Sequence, residues 1–438
     1  MSLTMEARTA ARWLGVLVVM AGAVYLTWQS AVLIQHNAPS RARGSAVAPA
    51  TVQIGTVDLT ALIGQVVGSD GVNERALGAI EGRGEPSLTA AAEFVAGRYE
   101  HEHNHDEQAL RHMQRAVNAA PSNAGLHTWC ATLLLNSGQT ASALTEAERA
   151  AELEPESADA QRILGQAYYG TGRLPEAITA WEHSLRLTPN AELSEHMEKA
   201  RREAAVEQHF TEDARGHFVL RYEGGQPTAA LSDELWRALE RDYDQLAADL
   251  GFTPSTTITV VLYSQQQFSD VTKAPAWAGA INDGKLRIPT GDLRNMTPQL
   301  DAMLRHELTH SFVHSAVPHC PVWLNEGLAQ MEEPRSVEAL PTDLRQAVRP
   351  GSFVPLAKLE GSFQKMNPED AKRAYVESLA AVEFMRSAKG MEGLRWMLRK
   401  LSEGEPNEAA LRGVVFGGYE ELDRETEASL AKYNAAAN

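Results

Sequence analysis

The sequence contains little cysteine and no basic run, and both absences narrow the classes of protein to which it can belong. Only two cysteines, Cys130 and Cys320, occur in 438 residues, and they form no CxxC pair. This argues against a disulfide framework and against a cysteine-based zinc site, although one long-range disulfide stays open. The 40 lysines and arginines are outnumbered by 57 aspartates and glutamates, so we predict no nucleic-acid partner.

Glycine-rich nucleotide-binding motifs and nucleophile motifs are also missing. The sequence has no GxSxG, no Walker-type loop and no Rossmann fingerprint, so a serine hydrolase, an NTPase and a dehydrogenase find no support. Hydrophobic residues make up 44% and charged residues 22%, values that are typical of a folded globular protein and exclude wholesale disorder. A chain of this length is expected to form two or three domains.

One long apolar run lies near the N terminus. Residues 13–34 comprise 22 residues without a charge, and at about 1.5 Å per residue they would cross a hydrocarbon layer of roughly 30 Å. We therefore predict that residues 1–35 form an uncleaved membrane anchor. The alternative is a cleaved signal peptide, whose candidate AVA site is followed by the unfavourable Pro49.

The flanking arginines bear on the orientation of the chain across the membrane. Arg8 and Arg12 precede the apolar run, and Arg41 and Arg43 follow it, so the positive-inside rule decides only weakly. The shorter N-terminal flank favours a cytoplasmic N terminus. We therefore expect the bulk of the chain to be extracytoplasmic, on the periplasmic or cell-surface side.

Residues 36–87 are rich in alanine, glycine, proline and serine. This composition predicts a linker. Two short patches, residues 52–57 and 62–67, alternate weakly in the manner of β-strands.

A period of 34 residues follows. Prolines recur at 121, 155 and 189, and small residues recur in three further columns at the same spacing, the third copy being ILGQAYYGTGRLPEAITAWEHSLRLTP. This pattern resembles the tetratricopeptide repeat, which implies helix–turn–helix units that bind peptides or proteins. We predict three units, 90–123, 124–157 and 158–191, and a capping helix at 192–208, all within a domain at 88–210.

The first unit contains the stretch HEHNH. His101 and His105 are four residues apart and would share a helical face, which is compatible with a metal site. A solvated histidine-rich turn is the simpler interpretation and the one we favour.

The stretch LRHELTHSFVH lies within a strong helical pattern at 297–316. Residues four apart on a helix lie on one face, so His306 and His310 can direct their imidazoles to one point. Two imidazoles and one carboxylate would bind Zn²⁺ and leave a position for water, and Glu307 could accept a proton from that water. The alternative is an ordinary helix with exposed histidine and glutamate side chains.

Sixteen residues after His310, the stretch PVWLNEGLAQ supplies Glu326 on a second short helix. HExxH followed by NEGLA resembles the gluzincin metallopeptidases, and specifically the peptidase MA-like group, over roughly residues 214–430. The resemblance implies that His306, His310 and Glu326 bind zinc and that Glu307 is the acid–base catalyst.

Two details of this resemblance are open. Thermolysin-like gluzincins have an acid four residues after the third ligand, where this sequence has Gln330, so Asn325 or a backbone carbonyl is expected to orient a histidine instead. The stretch AYVES matches a loose YxxS pattern, which makes Tyr375 a candidate catalytic residue that stabilises an oxyanion; packing in the core is the alternative.

The predicted fold is α+β and mostly α: a membrane helix, tetratricopeptide repeats, and a zincin-like metallopeptidase domain at 211–438. The predicted function is zinc-dependent hydrolysis of peptide bonds, with repeats that bind a protein substrate or a protein partner. The alternatives are a membrane-anchored scaffold with a non-catalytic peptidase-like domain and a chaperone-like binding protein without metal.

Overall fold

The computed structural model describes residues 52–436 except 69–70, 104, 225–226, 274–279, 283, 292, 334–336, 338, 341–347, 349–350, 362 and 364–365. These residues divide into two compact units at residue 207, the first covering 52–206 and the second covering 207–436. Most elements in both units are helices, and the second unit also contains a sheet.

The first unit is a succession of helices that pack in antiparallel pairs. Their bounds are α1 Leu59–Val66, α2 Glu74–Glu81, α3 Pro86–Glu102, α4 Asp106–Ala119, α5 Ala124–Asn136, α6 Thr140–Leu153, α7 Ala158–Gly170, α8 Leu174–Leu187 and α9 Ala191–Glu207. The pairs α3/α4, α5/α6 and α7/α8 correspond to the three predicted repeat units, and α9 corresponds to the predicted capping helix.

Two features of the 34-residue period explain how each pair forms. A Cβ at Gly165 would lie 2.4 Å from Trp181 Cδ1, so only glycine allows α7 and α8 to approach this closely. Each repeated proline lies two residues after the end of a second helix, where it does not interrupt the helix.

The segment predicted to be a linker contains secondary structure instead. Helices α1 and α2 are joined by a short hairpin of β1 Val67–Gly68 and β2 Gly71–Val72. Asp58 caps α1 by accepting from the N–H groups of Thr60 and Ala61, and Leu62 and Val66 bury one face against the first repeat. Residues 62–66 of this patch are therefore helical and only Val67 lies in a strand, so the β-like alternation expected from the sequence is wrong for most of the patch.

No helix among the described residues is both long enough and apolar enough to span a membrane. The predicted anchor at residues 13–34 lies outside the described part of the chain.

The second unit combines a five-stranded sheet with helices. Its bounds are β3 Phe210–Arg215, β4 Phe218–Glu223, α10 Ala229–Leu250, β5 Ile258–Tyr263, α11 Gln265–Thr272, β6 Ile281–Asn282, β7 Leu286–Pro289, α12 Pro298–Ala316, α13 Val322–Glu332, a 3₁₀ turn Leu356–Leu359, α14 Pro368–Ser402, α15 Asn407–Arg412 and α16 Gly418–Ala436. Helix α14 is broken at Gly390, where φ is +65°.

The sheet has the strand order β3-β4-β5-β7-β6. Strands β4, β5 and β7 are parallel, and β3 and β6 add antiparallel strands at the two edges. The alternating stretch HFVLRYEGG and the β-branched stretch TTITVVLYS predict strands from the sequence, and they correspond to β4 and β5. Strand β3 was not predicted, because its outward positions are charged and its burial is low on both faces.

Helices α12, α13 and α14 pack into the main core of this unit, which includes Leu308, Phe312, Leu328 and Val382. The contact between α13 and α14 leaves no room for a side chain at the glycine of NEGLA. A Cβ at Gly327 would lie 2.4 Å from the backbone oxygen of Ser378 and 2.5 Å from Val382 Cγ2. This glycine therefore fixes how closely the helix that carries Glu326 approaches α14.

Candidate metal centre

Helix α12 presents the HExxH residues to the protein interior. Thr297 caps its N terminus by accepting from Leu300 N, and Pro298 occupies the first helical position. His306, Glu307 and His310 are only 5%, 4% and 7% exposed. The alternative of exposed polar residues on an ordinary helix surface is therefore wrong.

Helix α13 brings Glu326 opposite the two histidines. The Nε2 atoms of His306 and His310 lie 3.1 Å apart, and Glu326 Oε2 lies 3.8 Å from each of them. Among the residues that the structure describes, these three are the one group of at least three His, Cys, Asp or Glu residues whose donor atoms all lie within 4.8 Å of one another.

The outer nitrogens of both rings are held by side chains of the α13 segment. His306 Nδ1 lies 2.5 Å from Glu333 Oε1, and His310 Nδ1 lies 3.0 Å from Asn325 Oδ1. A carboxylate and an amide oxygen accept hydrogen bonds, so both Nδ1 atoms carry hydrogen and both Nε2 atoms point inward. Two Nε2 lone pairs at this distance repel each other unless a proton or a metal ion lies between them.

The pKa values of His306 and His310 agree with one positive charge between the two Nε2 atoms. Burial is the largest single influence and lowers the pKa of His306, but Glu333, Glu307 and Glu326 together raise it to about 9. Burial and the neighbouring His306 lower the pKa of His310 to about 3. The two rings therefore accommodate one positive charge between them and not two.

The donor set fits zinc. Three atoms separated by 3.1, 3.8 and 3.8 Å have a common centre about 2.1 Å from each of them, and zinc binds imidazole nitrogen and carboxylate oxygen at about 2.0–2.2 Å. Two neutral imidazoles and one carboxylate would leave the ion with a net positive charge and a further coordination position.

Glu307 lies beside the first of the three residues on the same turn of α12. Its backbone oxygen accepts a hydrogen bond of 2.8 Å from Asn282 Nδ2, and the same amide donates to Ser311 Oγ at 2.7 Å. Asn282 belongs to the edge strand β6, so the sheet edge is bonded directly to the turn of α12 that carries Glu307.

The sequence predicted Asn325 as an orienting residue but missed Glu333. Gln330, at the position where an acid was expected, donates to the backbone oxygens of Glu326 and Tyr375 and so joins α13 to α14. Glu333 lies seven residues after Glu326, two helical turns further along the same face. The seven-residue spacing of these two glutamates was the feature of the sequence that could have indicated Glu333.

The structure places Tyr375 in the core of the unit. Its side chain is 1% exposed, and its ring packs edge-on against Phe363 with the centroids 5.4 Å apart. Packing was the alternative that the sequence left open for this residue.

The histidine-rich turn of the first repeat forms acid–histidine pairs. His101 Nδ1 lies 2.9 Å from Asp106 Oδ1, and His105 Nδ1 lies 2.5 Å from Glu100 Oε2. The two histidines thus pair with different carboxylates, and His101 is buried instead of lying in a solvated turn.

Comparison with known proteins finds a family match in part of the first unit. A family model of the tetratricopeptide repeat matches residues 131–192. The Hsp70-Hsp90 organizing protein of Triticum aestivum is 34% identical over 101 residues, which are 23% of this chain and 16% of that protein.

Two solved structures of tetratricopeptide proteins are also similar to part of the chain. The first tetratricopeptide domain of Spaghetti (RPAP3), bound to the HSP90 peptide SRMEEVD, is 23% identical and covers 26% of this chain and 93% of that chain, with a TM-score of 0.26. The tetratricopeptide protein TTC0263 of Thermus thermophilus is 21% identical and covers 29% of this chain and 70% of that chain, with a TM-score of 0.23. The match of the family model shows that the chain contains tetratricopeptide repeats.

Proposed function

We propose that the second unit is a zinc-dependent peptidase of the gluzincin type. The observation that carries the proposal is the convergence of His306 Nε2, His310 Nε2 and Glu326 Oε2 around a centre about 2.1 Å from each. Glu307 is buried beside this centre and supplies the carboxylate that metal-assisted hydrolysis requires.

Each residue has one part in this mechanism. Zinc bound there would supply the positive charge that lets a water molecule ionise near neutral pH. Glu307 accepts a proton on its carboxylate and passes it to the leaving amine. Glu333 and Asn325 keep the imidazole rings of His306 and His310 turned inward.

We propose that the repeats bind a protein substrate or a protein partner. The chain between residues 52 and 206 has 22 acidic and 12 basic residues, a net charge of −10, with Lys199 as its one lysine. Such a surface repels an acidic segment like SRMEEVD and favours a neutral or basic one. Titration of the full chain with that acidic peptide is expected to show no binding at low salt; tight binding would contradict the charge argument.

The membrane anchor belongs to the proposal on the strength of the sequence alone. Residues 13–34 carry no charge over 22 positions. A peptidase attached in this way would act on the extracytoplasmic side, near the membrane.

The experiment uses the full chain, extracted from the membrane fraction and supplied with zinc. We expect a stoichiometry near one zinc per chain, cleavage of a broad peptide library, and loss of cleavage on chelation with recovery after zinc is restored. Recovery of the chain from the soluble fraction would contradict the anchor, and a zinc-free preparation would contradict the metal centre.

A scaffold without turnover is the second candidate. The family match lies in the repeats, whose resemblance points to binding and not to chemistry. One zinc per chain together with no cleavage across the library would favour this function over the peptidase.

A further inference from the structure

The first turn of α13 is held from outside the helix. Pro321 precedes the helix and offers no side-chain cap. Instead, Val322 N donates to the backbone oxygen of Glu360 at 3.0 Å. The first turn of α13, which leads to Asn325 and Glu326, is therefore held by Glu360, a residue 38 positions after Val322 in the sequence.

A second connection runs through Tyr419. Its hydroxyl donates to Glu360 Oε1 at 2.7 Å and accepts from Trp323 Nε1 at 3.2 Å. The rings of Trp323 and Tyr419 meet edge-on with centroids 6.1 Å apart, and Trp323 is fully buried. Glu360 thus contacts the first turn of α13 twice, directly through its carbonyl and indirectly through the tyrosine hydroxyl.

The segment that carries Glu360 is itself fixed to two other helices. Leu356 N donates to Asp423 Oδ1 of α16 at 3.0 Å, and Val354 N donates to Glu377 Oε1 of α14 at 3.1 Å. Leu356 and Leu359 are fully buried in the core. This segment is therefore a rigid support for α13.

We propose that Tyr419 and Glu360 are positioning residues for the third metal ligand. They fix the turn that begins at Trp323, and Asn325 and Glu326 follow within one turn. A small rotation of a helix of 11 residues at this end would move both the Glu326 carboxylate and the amide that orients His310. The inference rests on the proposed zinc centre.

The test compares hydroxyl and acceptor variants of the full chain. Tyr419→Phe removes the donor and the acceptor, and Glu360→Leu removes the side-chain acceptor. Glu360→Gln keeps an acceptor oxygen for Tyr419. Zinc affinity is measured by competition with a chelator, and thermal unfolding is measured on the zinc-free protein.

We expect Tyr419→Phe and Glu360→Leu to bind zinc about fivefold more weakly, the effect of losing one hydrogen bond, and Glu360→Gln to bind within about twofold of wild type. The matched control is Tyr169→Phe in the first unit, where the hydroxyl donates to Glu203 Oε1 at 2.6 Å. This control is expected to lower the unfolding temperature without a change in zinc affinity.

Unchanged zinc affinity in Tyr419→Phe and Glu360→Leu, with lower unfolding temperatures alone, would overturn the positioning role and leave a structural one. A wild-type chain that binds zinc and cleaves no peptide would refute the proposed peptidase and leave the positioning role standing. A wild-type chain that binds no zinc would refute both.

Discussion

A Glu307→Gln chain is expected to bind zinc as the wild-type chain does and to cleave peptides about 10²–10⁴-fold more slowly. The amide has the size of the carboxyl group but cannot accept the proton of water. The donor atoms on His306, His310 and Glu326 stay in place, because Glu307 is not one of the three converging residues. Zinc content and kcat, measured on the same preparation, check both parts of this expectation.

Glu377→Gln is the matched control for this substitution. Glu377 is fully buried in the same unit, and burial raises its pKa to about 8, so the side chain is largely neutral near pH 7. Its Oε1 accepts from Val354 N, and the amide oxygen of glutamine can take over this bond. The control should keep both zinc and cleavage; a Glu307→Gln chain with full activity would remove Glu307 from the mechanism.

Helical periodicity was sufficient to predict the part of the centre that lies on α12. His306 and His310 are separated by one turn of a capped helix, so their convergence is a property of any α-helix at that position. Glu326 was predictable only with the help of the NEGLA resemblance, because the turn between α12 and α13 sets its distance from the rings. The structure brings all three together.

The supporting residues could not be predicted in the same way. Asn282 reaches α12 from a sheet edge, and Tyr419 reaches α13 from a helix almost a hundred residues later, so both contacts depend on tertiary packing. The seven-residue spacing from Glu326 indicates the face on which Glu333 lies, but Glu333 follows the last residue of α13, so the spacing does not fix its contact with His306. The same limit applies to residues 59–81, whose helices are short and gain stability from packing against the first repeat.

Removal of one imidazole tests the centre itself. A His310→Ala chain is expected to lose zinc affinity by more than the roughly 10–100-fold that is typical of an orienting partner, and cleavage should be lost with the metal. The substitution removes one of the three donors, and His306 and Glu326 alone form a two-ligand site. Elemental analysis after dialysis against a weak chelator measures the loss.

The control for this variant is a buried histidine of the other unit whose Nδ1 also hydrogen-bonds a side chain. His112 is 4% exposed, and its Nδ1 lies 2.7 Å from Glu93 Oε2. His112→Ala leaves the buried Glu93 carboxylate without this partner, so stability should fall while zinc content stays at the wild-type value. Equal zinc loss in both variants would mean that general unfolding releases the metal, and an unchanged zinc content in His310→Ala would mean that the metal binds elsewhere in the chain.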